Sequence, residues 1–138
     1  LGANIVRLRN DCFRSCTSLT SIVIPDTVAR VEGSCFRSCS ALQSITLPTN
    51  PSFTTLYNTT FRDCSALSSI DIPESITTIQ SNIFLNCTSL STINCYATSA
   101  PSIGTDVFTN VAATEIHVPV GATGYGTTYG GLEVVADL

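Results

Sequence analysis

The residues most able to do chemistry in this chain are its seven cysteines and its single histidine, His117. Cys12 and Cys16, then Cys35 and Cys39, form two Cys-x3-Cys pairs with 18 residues between them, which superficially resembles a four-thiolate zinc site. Cys16 and Cys39 are, however, the first members of a series continued by Cys64 and Cys87, so the gap is the period of a repeat. Free cysteine packs as a small hydrophobe, and that is the stronger reading here. No metal and no cofactor are expected. A disulfide between successive repeats, such as Cys12 with Cys35, is the remaining alternative, and an odd count leaves at least one thiol without a partner in the chain.

Any Ser-His-Asp or Cys-His device would have to use His117. Its setting, Ile116-His117-Val118, puts the ring on the outward side of a strand, where a solvated neutral side chain is ordinary. There is no phosphate loop and no dinucleotide fingerprint. The chain is therefore not expected to be an enzyme, and no catalytic residue is assigned. Arg14, Arg37 and Arg62 each follow a phenylalanine directly. Stacked about 5 Å apart, like charges repel unless a carboxylate or a bound anion intervenes; Asp63 or Asp11 is expected to supply it. Asn58-Thr59-Thr60 and Asn86-Cys87-Thr88 are formal glycosylation sequons.

The elements that position these residues follow from one period. Phenylalanines stand at Phe13, Phe36, Phe61, Phe84 and Phe108. After the first four come Cys16, Cys39, Cys64 and Cys87, then Leu19, Leu42, Leu67 and Leu90, then Ile22, Ile45, Ile70 and Ile93. Two residues further lie Ile24, Leu47, Ile72 and Cys95, while Leu8, Val31, Leu56, Ile79 and Ile103 precede each Phe. The Ile-x-Ile step has the period of a short strand. The Phe-x-x-Cys-x-x-Leu step, with period three, predicts a 3₁₀-like or irregular helical turn. Pro25, Pro48, Pro73 and Pro119 cannot donate to a ladder and end the strands. Two extra residues around Thr49 to Ser52 predict a bulged loop in the second unit.

No unit of this size buries its Phe, Leu and Ile alone, so the units must stack, with equivalent strands about 4.8 Å apart. The fold class is a β-rich solenoid. Ser15, Ser38, Asp63, Asn86 and Asn110 are placed in tight turns. The hydroxyls beside each core cysteine, Thr17, Ser40, Ser65 and Thr88, are expected to satisfy backbone groups at the corners. Because Ile22 and its equivalents point inward, Ser21, Val23, Ser44, Thr46, Ser69, Asp71, Thr92, Asn94, Glu115 and His117 point outward. These ten tile one face with short polar side chains and are the candidate binding residues. Residues 1–119 read as the solenoid, of about five coils with the first partial. Residues 120–138 break the pattern and read as a C-terminal cap packed by Tyr125, Tyr129 and Leu132. The opening runs straight into a repeat with no equivalent cap, which is expected of an excised or mature fragment.

The unit Phe-x-x-Cys-x-x-Leu-x-x-Ile-x-Ile-Pro, followed by a Val-x-x-Val or Ile-x-x-Ile pair, resembles the BspA-like leucine-rich repeat over nearly the whole chain, best at Phe36 to Pro48 and Phe61 to Pro73. The resemblance implies a right-handed stack of leucine-rich coils. It also implies a secreted or cell-surface protein used for adhesion, with a protein or glycan ligand on host or neighbouring cells. The departures are Cys12, Cys35, Thr60, Ile83 and Val107 where alanine usually precedes the core Phe, and Tyr96 in place of a strand-ending proline. A structural spacer that presents another domain and binds nothing is the competing reading.

Composition bounds the rest. Hydrophobic residues make up 43% and charged residues 12%, which argues for a folded chain. No stretch approaches the roughly 20 apolar residues of a membrane span. All six basic residues are arginines within the first 62 positions, which carry three acids; the remaining 76 carry seven acids and no base. A net +3 half beside a −7 half orients a charged partner and argues against general nucleic-acid binding. A monomeric module is expected.

Overall fold

The computed structural model describes all residues 1–138. The chain winds through about five coils and contains no helix. Each Ile-x-Ile segment forms a strand of a first face: β2 (Ser21–Val23), β4 (Ser44–Thr46), β6 (Ser69–Ile72), β8 (Thr92–Cys95) and β10 (Glu115–Val118). These strands pair in parallel with equivalent residues in register, as in Ile22 with Ile45 and Ile70 with Ile93. A second face carries two-residue strands from the segment preceding each Phe: β1 (Arg7–Leu8), β3 (Arg30–Val31), β5 (Thr55–Leu56), β7 (Thr78–Ile79) and β9 (Ser102–Ile103), also parallel. The inward apolar residue of each two-residue strand pairs with its counterpart one coil away, Leu8 with Val31 and Leu56 with Ile79.

Between the faces the rings of Phe13, Phe36, Phe61, Phe84 and Phe108 form one continuous column. Successive centroids are 5.2, 5.8, 5.5 and 5.8 Å apart, with planes within 11° of parallel. Phe36, Phe61 and Phe84 are fully buried. The sixth phenylalanine, Phe53, is buried in a second column between Val28 and Ile76; each of the three closes an i→i−3 turn at the same corner.

The period-three segment is a chain of turns and not a 3₁₀-helix. Cys16 N donates to Phe13 O and Leu19 N to Cys16 O, both at 3.1 Å, but residues two before and two after each Phe adopt left-handed φ and interrupt any run. Asp11, Ser15, Ser34, Ser38, Thr59, Asp63, Asn82, Asn86, Asp106 and Asn110 all lie at φ between 53° and 63°. Mostly short polar types occupy these positions because they tolerate that region better than bulky side chains do. The alternation turns the N–H groups of every second residue toward the next coil: Ser34 donates to Asn58 O, Phe36 to Thr60 O and Ser38 to Arg62 O, at 2.8–3.0 Å.

This corner ladder crosses a seam where both sheets are interrupted. The first face divides into β2-β4 and a separate sheet that begins at β6, and the second divides into β1-β3 and β5-β7-β9. The cause is the loop around Thr49 to Ser52. Asp26 Oδ1 accepts from Thr49 N at 2.6 Å, and Asn50 donates from Nδ2 to Val28 O while its Oδ1 accepts from Ser52 N. The extra residues stay pinned to the preceding coil at the point where strand pairing between the second and third coils is lost.

Residues after Pro119 continue the first face. β11 (Thr128–Tyr129) and β12 (Leu132–Ala136) form a hairpin, and β12 pairs in parallel with β10, Ile116 opposite Val134 and His117 opposite Val135. Tyr125, Tyr129 and Leu132 are buried; the two hydroxyls donate to Ala97 O at 2.7 Å and Pro101 O at 2.9 Å.

Candidate functional site

The cysteine column is structural. Cys39, Cys64 and Cys87 donate their thiol hydrogens to the carbonyls of Phe13, Phe36 and Phe61 in the preceding coil, at 3.0, 3.1 and 3.0 Å. Each such carbonyl also accepts the backbone N–H three residues on, so the thiol fills its second lone pair. Burial pushes the thiols of Cys35 and Cys87 up to about 12, and raises those of Cys39, Cys64 and Cys95 as well. A thiolate is the nucleophile and metal ligand, and these residues stay protonated at neutral pH. All seven cysteines are free, including Cys12 and Cys35. The adjacent hydroxyls do not take the role expected of them: of Thr17, Ser40, Ser65 and Thr88, only Ser65 reaches a backbone group, Ser40 O at 3.5 Å. They are exposed, and the buried thiols reach the carbonyls instead.

Asp63 stands between two members of the arginine column and offsets part of their charge, with Nε of both Arg37 and Arg62 buried and not hydrogen-bonded. Its Oδ2 lies 3.4 Å from Arg62 Nε and 3.9 Å from Arg37 Nε, while Arg14 pairs with Asp11 at 3.4 Å. Asp63 Oδ1 also accepts from Asn86 Nδ2 at 2.8 Å, and Asn86 Oδ1 from Asn110 Nδ2 at 2.9 Å, a polar ladder running along the corner. Both polar atoms of the half-buried Asn86 side chain are thus engaged within the chain, beside the buried Cys87.

His117 is only part-exposed and has a partner absent from any local pattern. Asp137, just beyond β12, places its carboxylate oxygens 2.9 and 3.0 Å from Nδ1. Nε2 meets no hydroxyl or thiol of the chain, so the pair lacks a nucleophile.

The ten outward positions of the first face lie at or near the surface. Ser21, Val23, Ser44, Thr46, Ser69, Asp71, Thr92 and Glu115 are exposed, and Asn94 and His117 are intermediate. Asn94 donates from Nδ2 to Asp71 Oδ1 at 2.9 Å, tying two coils together. The seam divides the ten into Ser21 to Thr46 on one sheet and Ser69 to His117 on the other. At the seam a cavity of about 260 Å³ is lined by Ile45, Thr46, Leu47, Thr49, Asp71, Pro73 and Tyr96. Thr46 and Asp71 belong to the outward set, whereas Thr49 and Tyr96 sit at its rim because of the loop and the missing proline. Tyr96 is 41% exposed, a large aromatic beside a half-buried Ile45. Beyond the seam the outward charges are acidic, Asp71, Glu115 and Glu133, with Glu133 opposite Glu115. No arginine projects from this face.

A family model for the BspA type leucine rich repeat region matches six copies over residues 6–128. The crystal structure of a leucine rich cell surface protein from Faecalibacterium prausnitzii A2-165 is 31% identical with a TM-score of 0.73, over 86% of this chain and 31% of that one. A leucine-rich repeat protein from Bacteroides ovatus ATCC 8483 is 26% identical with a TM-score of 0.62, over 75% of this chain and 26% of that one. The leucine rich repeat protein of T. pallidum shares the fold at 24% identity and a TM-score of 0.78, over 97% of this chain and 64% of that one. The chain thus spans a third or less of the first two structures and under two thirds of the other. No curated protein matches it.

Proposed function

This chain belongs to the BspA-type leucine-rich repeat family, a protein-interaction module, and we propose that it serves outside the cell or on its surface as an adhesion or recognition unit. The ligand is a protein on a host or neighbouring cell. It lies on the first face, over Ser21, Val23, Ser44, Thr46, Ser69, Asp71, Thr92, Asn94, Glu115 and His117. The observation that carries this reading is the cavity at the seam. Apart from the exposed Val23 the outward residues are polar, and the cavity adds an exposed aromatic, a carboxylate and half-buried aliphatic carbon, the mixture that anchors interface hot spots. Residues 120–138 act as the cap of the 1–119 solenoid, supported by burial of Tyr125, Tyr129 and Leu132. The module works as a monomer and has no catalytic role.

Replacing Thr46 and Asp71 together tests the face, with binding to immobilised extracellular-matrix extract and to whole cells as the readout. Both side chains are exposed, so the circular dichroism spectrum should hold and the melting temperature should fall only by the loss of the exposed bond from Asn94 to Asp71. Binding is expected to fall at least tenfold. Unchanged binding, or none by the parent chain, overturns this reading and favours a spacer that holds another domain away from the surface.

A further inference from the structure

On the second face, two hollows of about 350 and 390 Å³ share Asn58 and Gln80 and together make one groove across successive coils. Its lining is uncharged apart from Asp11, which Arg14 already engages at 3.4 Å. Two of its amides are locked by the repeat. Gln80 Oε1 accepts from Asn58 N at 3.0 Å, and Asn58 Oδ1 accepts from Ser81 N at 2.9 Å. A backbone N–H can only donate, so the amide atom facing it must be oxygen. Nδ2 of Asn58 and Nε2 of Gln80 are therefore turned away from those bonds, and neither has a partner in the chain. Asn10, two coils before Asn58, keeps both side-chain polar atoms unbonded within the chain. Tyr57 lines the same hollow, its ring steadied by the Arg30 guanidinium 4.5 Å from the centroid.

We propose that this groove binds a neutral oligosaccharide, with Asn10, Asn58 and Gln80 meeting sugar hydroxyls and Tyr57 offering apolar contact. A phosphate or nucleic acid requires cations that the lining lacks. A protein partner anchors on aromatic and aliphatic side chains at the interface centre, and of the apolar lining residues here Ile79 is buried, which leaves Tyr57 and Ile103. A hydroxyl donates and accepts at once, which suits free amide nitrogens and oxygens equally. Fixing two amides in advance lowers the ordering cost of binding. The site stands apart from the protein ligand proposed for the first face and does not depend on it.

The test is titration of the full isotope-labelled chain with cellohexaose, maltohexaose and chitohexaose, followed by amide chemical shifts. At least one is expected to give saturable shifts at Asn58, Gln80 and Ser81 with Kd below about 1 mM. Asn10→Ala removes a side chain that bonds to nothing in the chain and should weaken binding about fivefold, and Asn58→Ala about tenfold. If Asn58→Ala fails to fold, Asn10→Ala decides alone. Thr46→Ala should leave the affinity unchanged. No saturable shift with any of the three sugars, shifts confined to the first face, or full affinity in Asn10→Ala overturns the proposal.

Discussion

The phenylalanine column makes a prediction that depends on position in the stack. Phe36 is fully buried, with Phe13 on one side at 5.2 Å and Phe61 on the other at 5.8 Å. Truncating it to alanine removes a whole ring from a packed interior, which costs about 3–5 kcal/mol. That includes two ring pairs worth ~0.5–1.5 kcal/mol each. Phe13 has the same residue type and repeat position but is only half-buried and stacks on one ring. Its truncation should cost about half as much, because part of the side chain already meets water and the neighbouring coil can relax. A domain of this size has a total stability of roughly 7–20 kcal/mol, so the two variants are separable by urea unfolding. Circular dichroism reports the strands, and the assigned ring resonances of Tyr125 and Tyr129 report the C-terminal unit in which both are buried. A quasi-one-dimensional stack can lose cooperativity, and the two probes would then part in Phe36→Ala before they part in the parent. Equal costs at the two positions, or less than about 1 kcal/mol for Phe36→Ala, would refute a shared dry column.

Other consequences are as direct. Native-state alkylation should modify Cys12 and Cys16 readily and spare the other five thiols, whereas unfolding without reductant should expose all seven, read by intact mass. Stability should decline in alkali. Burial raises the folded pKa of Cys35 and Cys87 from about 9 to about 12, so their contribution is complete below pH 9 and is lost as pH climbs through that window. Each such thiol removes up to ~1.4 kcal/mol per pH unit there, seen as a falling midpoint in urea between about pH 9 and 12. Asn50→Ala should cost about 1–3 kcal/mol by leaving Val28 O and Ser52 N without their side-chain partner. Gly130→Ala should cost about 1–3 kcal/mol, because φ is +60° and the added carbon would lie 2.6 Å from the Phe108 ring and 2.9 Å from Ile103 Cδ1. A melting temperature equal to the parent's in either variant contradicts the packing described for that loop or that hairpin.

The coil period, the inward and outward alternation of each long strand and the membership of the Phe, Cys, Leu and Ile columns were all legible in the residues. Each is a local rule repeated at a fixed spacing, and stacking converts equal spacing into contact. The left-handed corners were half legible. Ser15, Ser38, Asp63, Asn86 and Asn110 announce turns by type, but the matching set from Asp11 to Asp106 mixes Asp, Ser, Thr and Asn and emerges only from backbone geometry. The carboxylate between Arg37 and Arg62 could be anticipated because Asp63 adjoins one of them in sequence.

What required three dimensions is everything set by contact between unlike parts of the chain. Asp137 meets His117 only because β12 adds a further parallel strand. Two extra residues announce a bulge, yet that the bulge breaks both sheets and leaves the corner ladder whole depends on how Asp26 and Asn50 hold it down. Tyr96 and Thr49 join Thr46 and Asp71 around one cavity for the same reason. A repeating sequence determines the interior because every coil solves the same packing problem. The breaks in the repeat shape the surface, and where their side chains meet is decided by the packed chain as a whole.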